Sequence, residues 1–132
     1  MTLTPEAIRD MASRYAKAWS SHSPDAVACF YEPEGLITIN NGDPIVGRAA
    51  IADMALNFYR AFPNLLVHLD DIRTSGRDAI FVWTLEGRHS ETGNDVRVGG
   101  WEEWQLSDNV LVSQSRGHFD VADYDRQIAG RT

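Results

Sequence analysis

Near the end of the chain, Gln114, Arg116, His118 and Asp120 recur at every second position. Strand side chains alternate faces, so an amide, a guanidinium, an imidazole and a carboxylate would stand in one row. Burying such groups is unfavourable unless they pair or react. The row therefore faces either water or a pocket in which Asp120 shuttles a proton and His118 orients it. A second acid, Glu102, follows the glycine pair Gly99-Gly100 and lies between Trp101 and Trp104. Two acids in unlike surroundings can divide the roles of proton donor and acceptor.

Positioning these groups requires a sheet, and the chain provides one after Pro63. Before it the apolar period is helical. Thr4-Pro5-Glu6 is a helix start, with Ile8, Met11, Tyr15 and Trp19 on one stripe to about Ser21. Ser23-Pro24-Asp25 repeats the signal for a short second helix carrying Val27, Phe30 and Tyr31, stopped by Pro33-Glu34-Gly35. Leu36–Ile39 and Ile45-Val46 read as a small hairpin, and Gly47 opens a third helix with Ile51, Met54, Phe58 and Phe62 on its stripe. Beyond Pro63 the period falls to two. Strands are expected over Leu65–Ile72, Ala79–His89, Val96–Leu106 and Val110–Asp120, joined by short turns as an antiparallel meander. Helices first and strands second predict an α+β fold, with N-terminal helices on a curved, mainly antiparallel sheet. The 132 residues fit a single domain, 1–132.

Composition narrows the function. Hydrophobic residues make up 43%, so the chain can bury a core. A net charge of −7 with one lysine, Lys17, argues against nucleic acid, whose phosphates must be neutralised. No apolar run is long enough for a membrane span. The first residues lack the basic start and apolar stretch of a signal peptide, and Cys29 is the single cysteine, so a reducing, cytoplasmic setting is expected. Cys29 itself is expected to be a small buried hydrophobe.

Several pieces in order resemble one family. Arg14-Tyr15, Gly47-Arg48-Ala49-Ala50-Ile51, Ala61-Phe62-Pro63, Trp83 to His89, Gly100-Trp101-Glu102-Glu103-Trp104 and His118-Phe119-Asp120 resemble the nuclear-transport-factor-two-like, or cystatin-like, cone. The local sequence is most similar to its SnoaL-like polyketide cyclase and ketosteroid isomerase branches. The resemblance implies a cavity between the concave sheet face and the helices. It matches Tyr15 and Glu102 to the phenol and protonated acid of the isomerase oxyanion hole, and Asp120 to the closing acid/base carboxylate of the cyclases. The isomerase's base would fall on Ile39, beside Asn40, and neither can abstract a proton. The arginine of limonene epoxide hydrolases would fall on Gly100, for which Arg116 is the available substitute.

Strand parity then proposes the pocket. Glu102 inward brings Val98, Trp104 and Leu106 inward and sends Trp101 and Glu103 outward. Trp19, Phe58, Trp83, Leu85 and Trp104 would form apolar walls; Tyr15, Glu102, Gln114, Arg116, His118, Asp120 and His89 would supply polar groups. Asp120, His118, Glu102 and Tyr15 are the candidate catalytic residues. Each also has a structural explanation: Asp120 as the cap of a helix starting near Val121, His118 as a satisfied core histidine, Glu102 as half of a solvated pair with Glu103, Tyr15 as core; Arg116 is equally an ion-pair partner. His89, His118, Glu102 and Asp120 lack metal-ligand spacing, so neither a metal nor another cofactor is expected. Two functions follow. One is acid/base cyclisation, isomerisation, dehydration or hydration of a small apolar oxygenated compound. The other is a non-catalytic ligand-binding or dimerisation domain. A homodimer through the outer sheet face, with Trp101 and Phe119 on it, is expected for both.

Overall fold

The computed structural model describes residues 2–130. Helix α1 spans Pro5–Ser20; Thr4 caps it by accepting from the Ala7 amide at 3.1 Å, and Pro5 occupies the first turn. Its buried stripe, Ile8, Met11, Tyr15 and Trp19, faces the sheet. Helix α2 is short, Pro24–Ala28, and strand β1, Tyr31–Ile39, begins almost at once. Tyr31 therefore opens a strand and does not close a helix. Pro33 disfavours helical geometry in the residue before it, which keeps Glu32 extended. Strand β2 (Ile45–Val46) pairs back on β1, and α3 runs over Arg48–Ala61.

Strands β3 (Leu66–Ser75), β4 (Asp78–Arg88), β5 (Asp95–Leu106) and β6 (Val112–Phe119) form the expected meander, and α4 (Val121–Ala129) closes the described chain. The sheet order is β2-β1-β6-β5-β4-β3. Every pair is antiparallel except β1 with β6, so the first and last long strands meet side by side. Two hydroxyls hold α1 to the sheet and α3 to α1. Ser20 Oγ accepts from the Val67 amide at 2.9 Å, and Tyr59 Oη donates to the Trp19 carbonyl at 2.8 Å. Among the described residues, no helix is long and apolar enough to cross a membrane.

One irregularity decides which residues face the core. On β5, Leu106 pairs with Val112 and Gln105 with Gln114, so Ser113 is an extra residue on β6. Such a bulge flips every later side chain to the other face. Val112 points inward, and beyond the bulge the inward residues are Ser115, Gly117 and Phe119. Gln114, Arg116 and His118 lie opposite Gln105, Glu103 and Trp101 on the outer face. The parity expected for β5 and β4 holds, with Val98, Glu102, Trp104, Phe81 and Leu85 all buried. Cys29 is exposed, not buried: it caps the end of α2, past the buried pair Val27 and Ala28.

Candidate functional site

Between the concave face of the sheet and α1, α3 and α4 lies a cavity of about 60 Å³. Trp19 from α1, Phe58 from α3, Phe81, Trp83 and Leu85 from β4, and Phe119 from β6 form much of its wall. Ile39, the position the resemblance matched to a catalytic base, is also wall. Among the described residues, Glu102 is the one charged residue lining it, and only 6% of its surface is exposed.

Four neighbours surround the Glu102 carboxyl. Ser115 Oγ donates to Oε1 at 2.7 Å and Trp104 Nε1 donates to it at 2.9 Å. Tyr31 Oη lies 3.3 Å from Oε1, and Tyr15 Oη lies 3.2 Å from each oxygen. The two phenols are 2.8 Å apart. A phenol has one proton, so the pair spends one proton between its members and keeps one for the carboxyl. Oε1 is thus held by protein donors, whereas Oε2 touches only Tyr15. A neutral Glu102 completes a ring: Oε2–H donates to Tyr15, Tyr15 to Tyr31, and Tyr31 back to Oε1.

Electrostatics favour that neutral form. Burial pushes the Glu102 carboxyl above its usual 4.5, against the opposing hydrogen bonds from Trp104, Ser115, Tyr15 and Tyr31. Burial, and then the nearby Glu102 charge, raises both phenols well above their usual 10.0, so they remain donors. Tyr15 is fixed by T-shaped contacts with Phe30, Phe81 and Trp104 at 5.3–5.5 Å between centroids. Trp104 lies one layer behind the wall, stacked on Phe81 at 5.1 Å.

A sequence profile of the SnoaL-like domain matches residues 12–114. The chain belongs to the SnoaL-like domain family. Similar solved structures include a protein from Jannaschia sp. CCS1 described as a SnoaL-like polyketide cyclase (TM-score 0.85, 14% identity, covering 100% of this chain and 99% of that one). A ketosteroid isomerase-like fold from Catenulispora acidiphila, solved in complex with trimethylamine, gives TM-score 0.83 at 15% identity over 98% and 96% of the two chains. The epoxide hydrolase/cyclase-like enzyme SalBIII, of pyran ring formation in salinomycin, gives 0.79 at 13% over 89% and 94%. At these identities the likeness establishes the fold. No curated protein matches the chain in sequence.

This SnoaL-like domain brings together only part of the expected site. Tyr15 and Glu102 meet; Trp19, Phe58, Trp83 and Leu85 line the cavity; Trp104 supports it. His118 and Arg116 instead face Glu103 across the outer surface, His118 Nε2 at 3.1 Å and Arg116 Nε at 3.8 Å. Gln114 shares that face. The bulge at Ser113 is the physical reason for all three. His89 lies past the end of β4, edge-on to Phe62, and its Nδ1 accepts from the amides of Glu91 and Thr92 at 3.3 and 3.4 Å. Asp120 is exposed and caps α4, accepting from the Asp123 amide at 3.0 Å. Phe119 belongs to the cavity wall and not to the outer face. Among the described residues, no group of three His, Cys, Asp or Glu side chains is placed to hold a metal ion.

Tyr31 and Ser115 are the site residues that sequence reasoning missed. Pro33 was the available signal for Tyr31, because it extends the chain before it. The signal for Ser115 was weaker: a small polar residue one register step from a row that looked more reactive. The cap role of Asp120 carries its own expectation. Asp120→Asn retains a good cap and should leave stability unchanged, whereas Asp120→Ala should lower it by about 1 kcal/mol. Urea denaturation of both variants checks this, and equal losses would remove the cap explanation.

Proposed function

We propose that this SnoaL-like domain is a small-molecule enzyme in which Glu102, not Asp120, is the acid/base group. Its substrate is a compact apolar compound bearing oxygen, and its reaction is an isomerisation, cyclisation, dehydration or hydration. The supporting observation is the asymmetry of one buried carboxyl: Oε1 is occupied by protein donors, and Oε2 has only a weak tie to Tyr15.

Neutral Glu102 donates its Oε2 proton to a substrate oxygen as negative charge develops there. The carboxylate left behind already has Ser115, Trp104 and one phenol proton directed at it, so little reorganisation accompanies the transfer. Tyr15 and Tyr31 can reverse their shared hydrogen bond to follow the proton. General acid help of this kind is typically worth ~10²–10⁴ in rate. The neighbours named for pyran ring formation and for bound trimethylamine are analogies in favour of small-molecule chemistry on this fold. A turnover screen over small epoxides, enones and hydroxyketones tests the reading. The rate is expected to fall as pH rises through an ionisation above the ordinary carboxylate value. Saturable binding with no turnover would make the chain a ligand-binding module instead.

The outer sheet face is the surface we assign to a homodimer. Trp101 and Ile80 stand 42% and 41% exposed on it, beside the Glu103, Arg116 and His118 cluster. Sedimentation at micromolar concentration should return twice the chain mass, and Trp101→Glu should return a monomer. A wild-type monomer would withdraw the assignment.

A further inference from the structure

One buried glycine is explained neither by its backbone nor by its neighbours. Of the ten glycines, four adopt the left-handed backbone that favours glycine, and in four others an added Cβ would meet another atom at 3.1 Å or closer. Gly99 and Gly117 remain. Gly99 is exposed on the outer sheet face, where a missing side chain leaves no gap in the packing. Gly117 is buried, lies within β6 and lines the cavity. Glycine inside a strand loses more conformational freedom on folding than alanine would, and it has no side chain to pack.

The missing side chain would stand next to Glu102. Gly117 pairs with Glu102 of β5 on one side and with Ile39 of β1 on the other. A Cβ at Gly117 would meet Glu102 Cγ at 3.7 Å and the Thr38 carbonyl oxygen at 3.8 Å. Both are ordinary van der Waals contacts. Apart from the chain neighbours of Gly117, no other heavy atom of the described residues comes within 4 Å of that point. An alanine would therefore fit, on the cavity surface beside the Glu102 side chain. Glycines in strand interiors mark places where another group approaches the backbone closely. At Gly100 that group is the Trp83 ring, and at Gly87 it is the Phe62 side chain. At Gly117 the protein supplies no such group.

We propose that Gly117 is a specificity-determining residue of the cavity: the ligand lies against its bare backbone, alongside the Glu102 side chain, and a methyl group at this position obstructs it. This rests on the cavity being the ligand site and deepens that reading. The glycine keeps the flank of the acid clear from the side of β6, at the expense of strand stability. Stability and binding should consequently move in opposite directions when the gap is filled. A glycine retained for the fold alone, as a point where the strand bends, would lose stability on the same substitution and leave binding untouched.

The experiment titrates cyclopentanone and cyclopentene oxide by NMR into the wild type, Gly117→Ala and the control Gly99→Ala. Gly117→Ala is expected to weaken binding at least about five-fold, the lower end of the effect of a surplus methyl group in a packed space. Gly99→Ala should leave binding unchanged. The alanine at position 117 should also raise the melting temperature by roughly 2–4 °C, because it fits and restricts the unfolded chain. A second measurement needs no variant: at saturating ligand, nuclear Overhauser effects should connect the ring protons of the probe to the Gly117 Hα pair. Undiminished affinity in Gly117→Ala, a lowered melting temperature, or no such effect at saturation overturns the proposal and leaves the ligand-site reading standing. A wild type that takes up neither probe overturns both together, so the two failures are distinguishable. Binding alone is read, and the outcome is independent of whether Glu102 transfers a proton.

Discussion

Glu102→Gln is expected to reduce turnover by at least ~10²-fold while making the protein more stable at pH values above the folded-state ionisation of Glu102. The amide reproduces the shape and hydrogen-bond pattern of the neutral acid. Its oxygen can accept from Ser115 and Trp104, and its NH₂ can donate to Tyr15 as the acid proton would. It cannot give that proton away. The stability effect follows from linkage. The folded pKa of Glu102 lies above the usual 4.5 because of burial. The native state therefore holds its proton more tightly than the unfolded chain does. Its stabilising contribution is complete below the unfolded value and is lost as pH rises through the folded value. The variant lacks that loss. Urea denaturation across this window should show the wild type weakening with rising pH and Glu102→Gln not following it. Parallel curves would mean that Glu102 is not a raised-pKa group, and unchanged turnover would remove it from the chemistry.

Trp104→Ala is expected to lower stability by about 3–5 kcal/mol, the range for truncating a large buried aromatic. Trp104 is 1% exposed, stacks on Phe81, and packs T-shaped against Tyr15. Its loss would open a cavity behind the working one and free a ring that holds the phenol in place. Trp104→Phe separates packing from hydrogen bonding. It keeps most of the stack and removes the 2.9 Å hydrogen bond to Oε1. That bond lowers the pKa of Glu102, so without it the ionisation should move further in the alkaline direction. The denaturation midpoint checks the first variant and the pH profile checks the second. An acid shift in Trp104→Phe would contradict the donor role.

The β5 half of the site was legible because its inward side chains identify themselves. Val98, Trp104 and Leu106 alternate with Arg97, Glu103 and Gln105, and Glu102 takes its face from them. Strand β6 has no such contrast. Its inward set beyond the bulge is Ser115, Gly117 and Phe119, with only one large apolar residue among them. The polar row Gln114, Arg116, His118 then looks like the functional face. Extending the parity of Val112 gives that same wrong answer, because nothing local marks Ser113 as an extra residue. Only the pairing with β5 does. Asp120 was drawn into the site by the same extension, although Val121 to Ile128 behind it supplies the helix that it caps. The resemblance pairs Tyr15 with Glu102, and the two side chains meet at 3.2 Å, whereas it assigns to Asp120 a role at a position where this chain has a helix cap. Tyr31 falls outside the expected site because α2 ends at Ala28, three residues earlier than the helical stripe suggests, and β1 begins at Tyr31.

The parallel union of β1 with β6 has a kinetic consequence. The Glu102 hydrogen bonds span 87 residues to Tyr15, 71 to Tyr31 and 13 to Ser115. Contacts that far apart are slow to form, because chain entropy is lost before they return any stabilisation. The meander β3-β4-β5 can zip through local turns, but the carboxyl has no partners from α1 or β1 until both ends of the chain arrive. During synthesis, Glu102 would therefore leave the ribosome long after both tyrosines, and Ser115 later still. Strand β6, emerging after β5, joins β5 to β1 and adds Ser115 to the Glu102 carboxyl, so the sheet and the carboxyl's set of donors are completed in the same step.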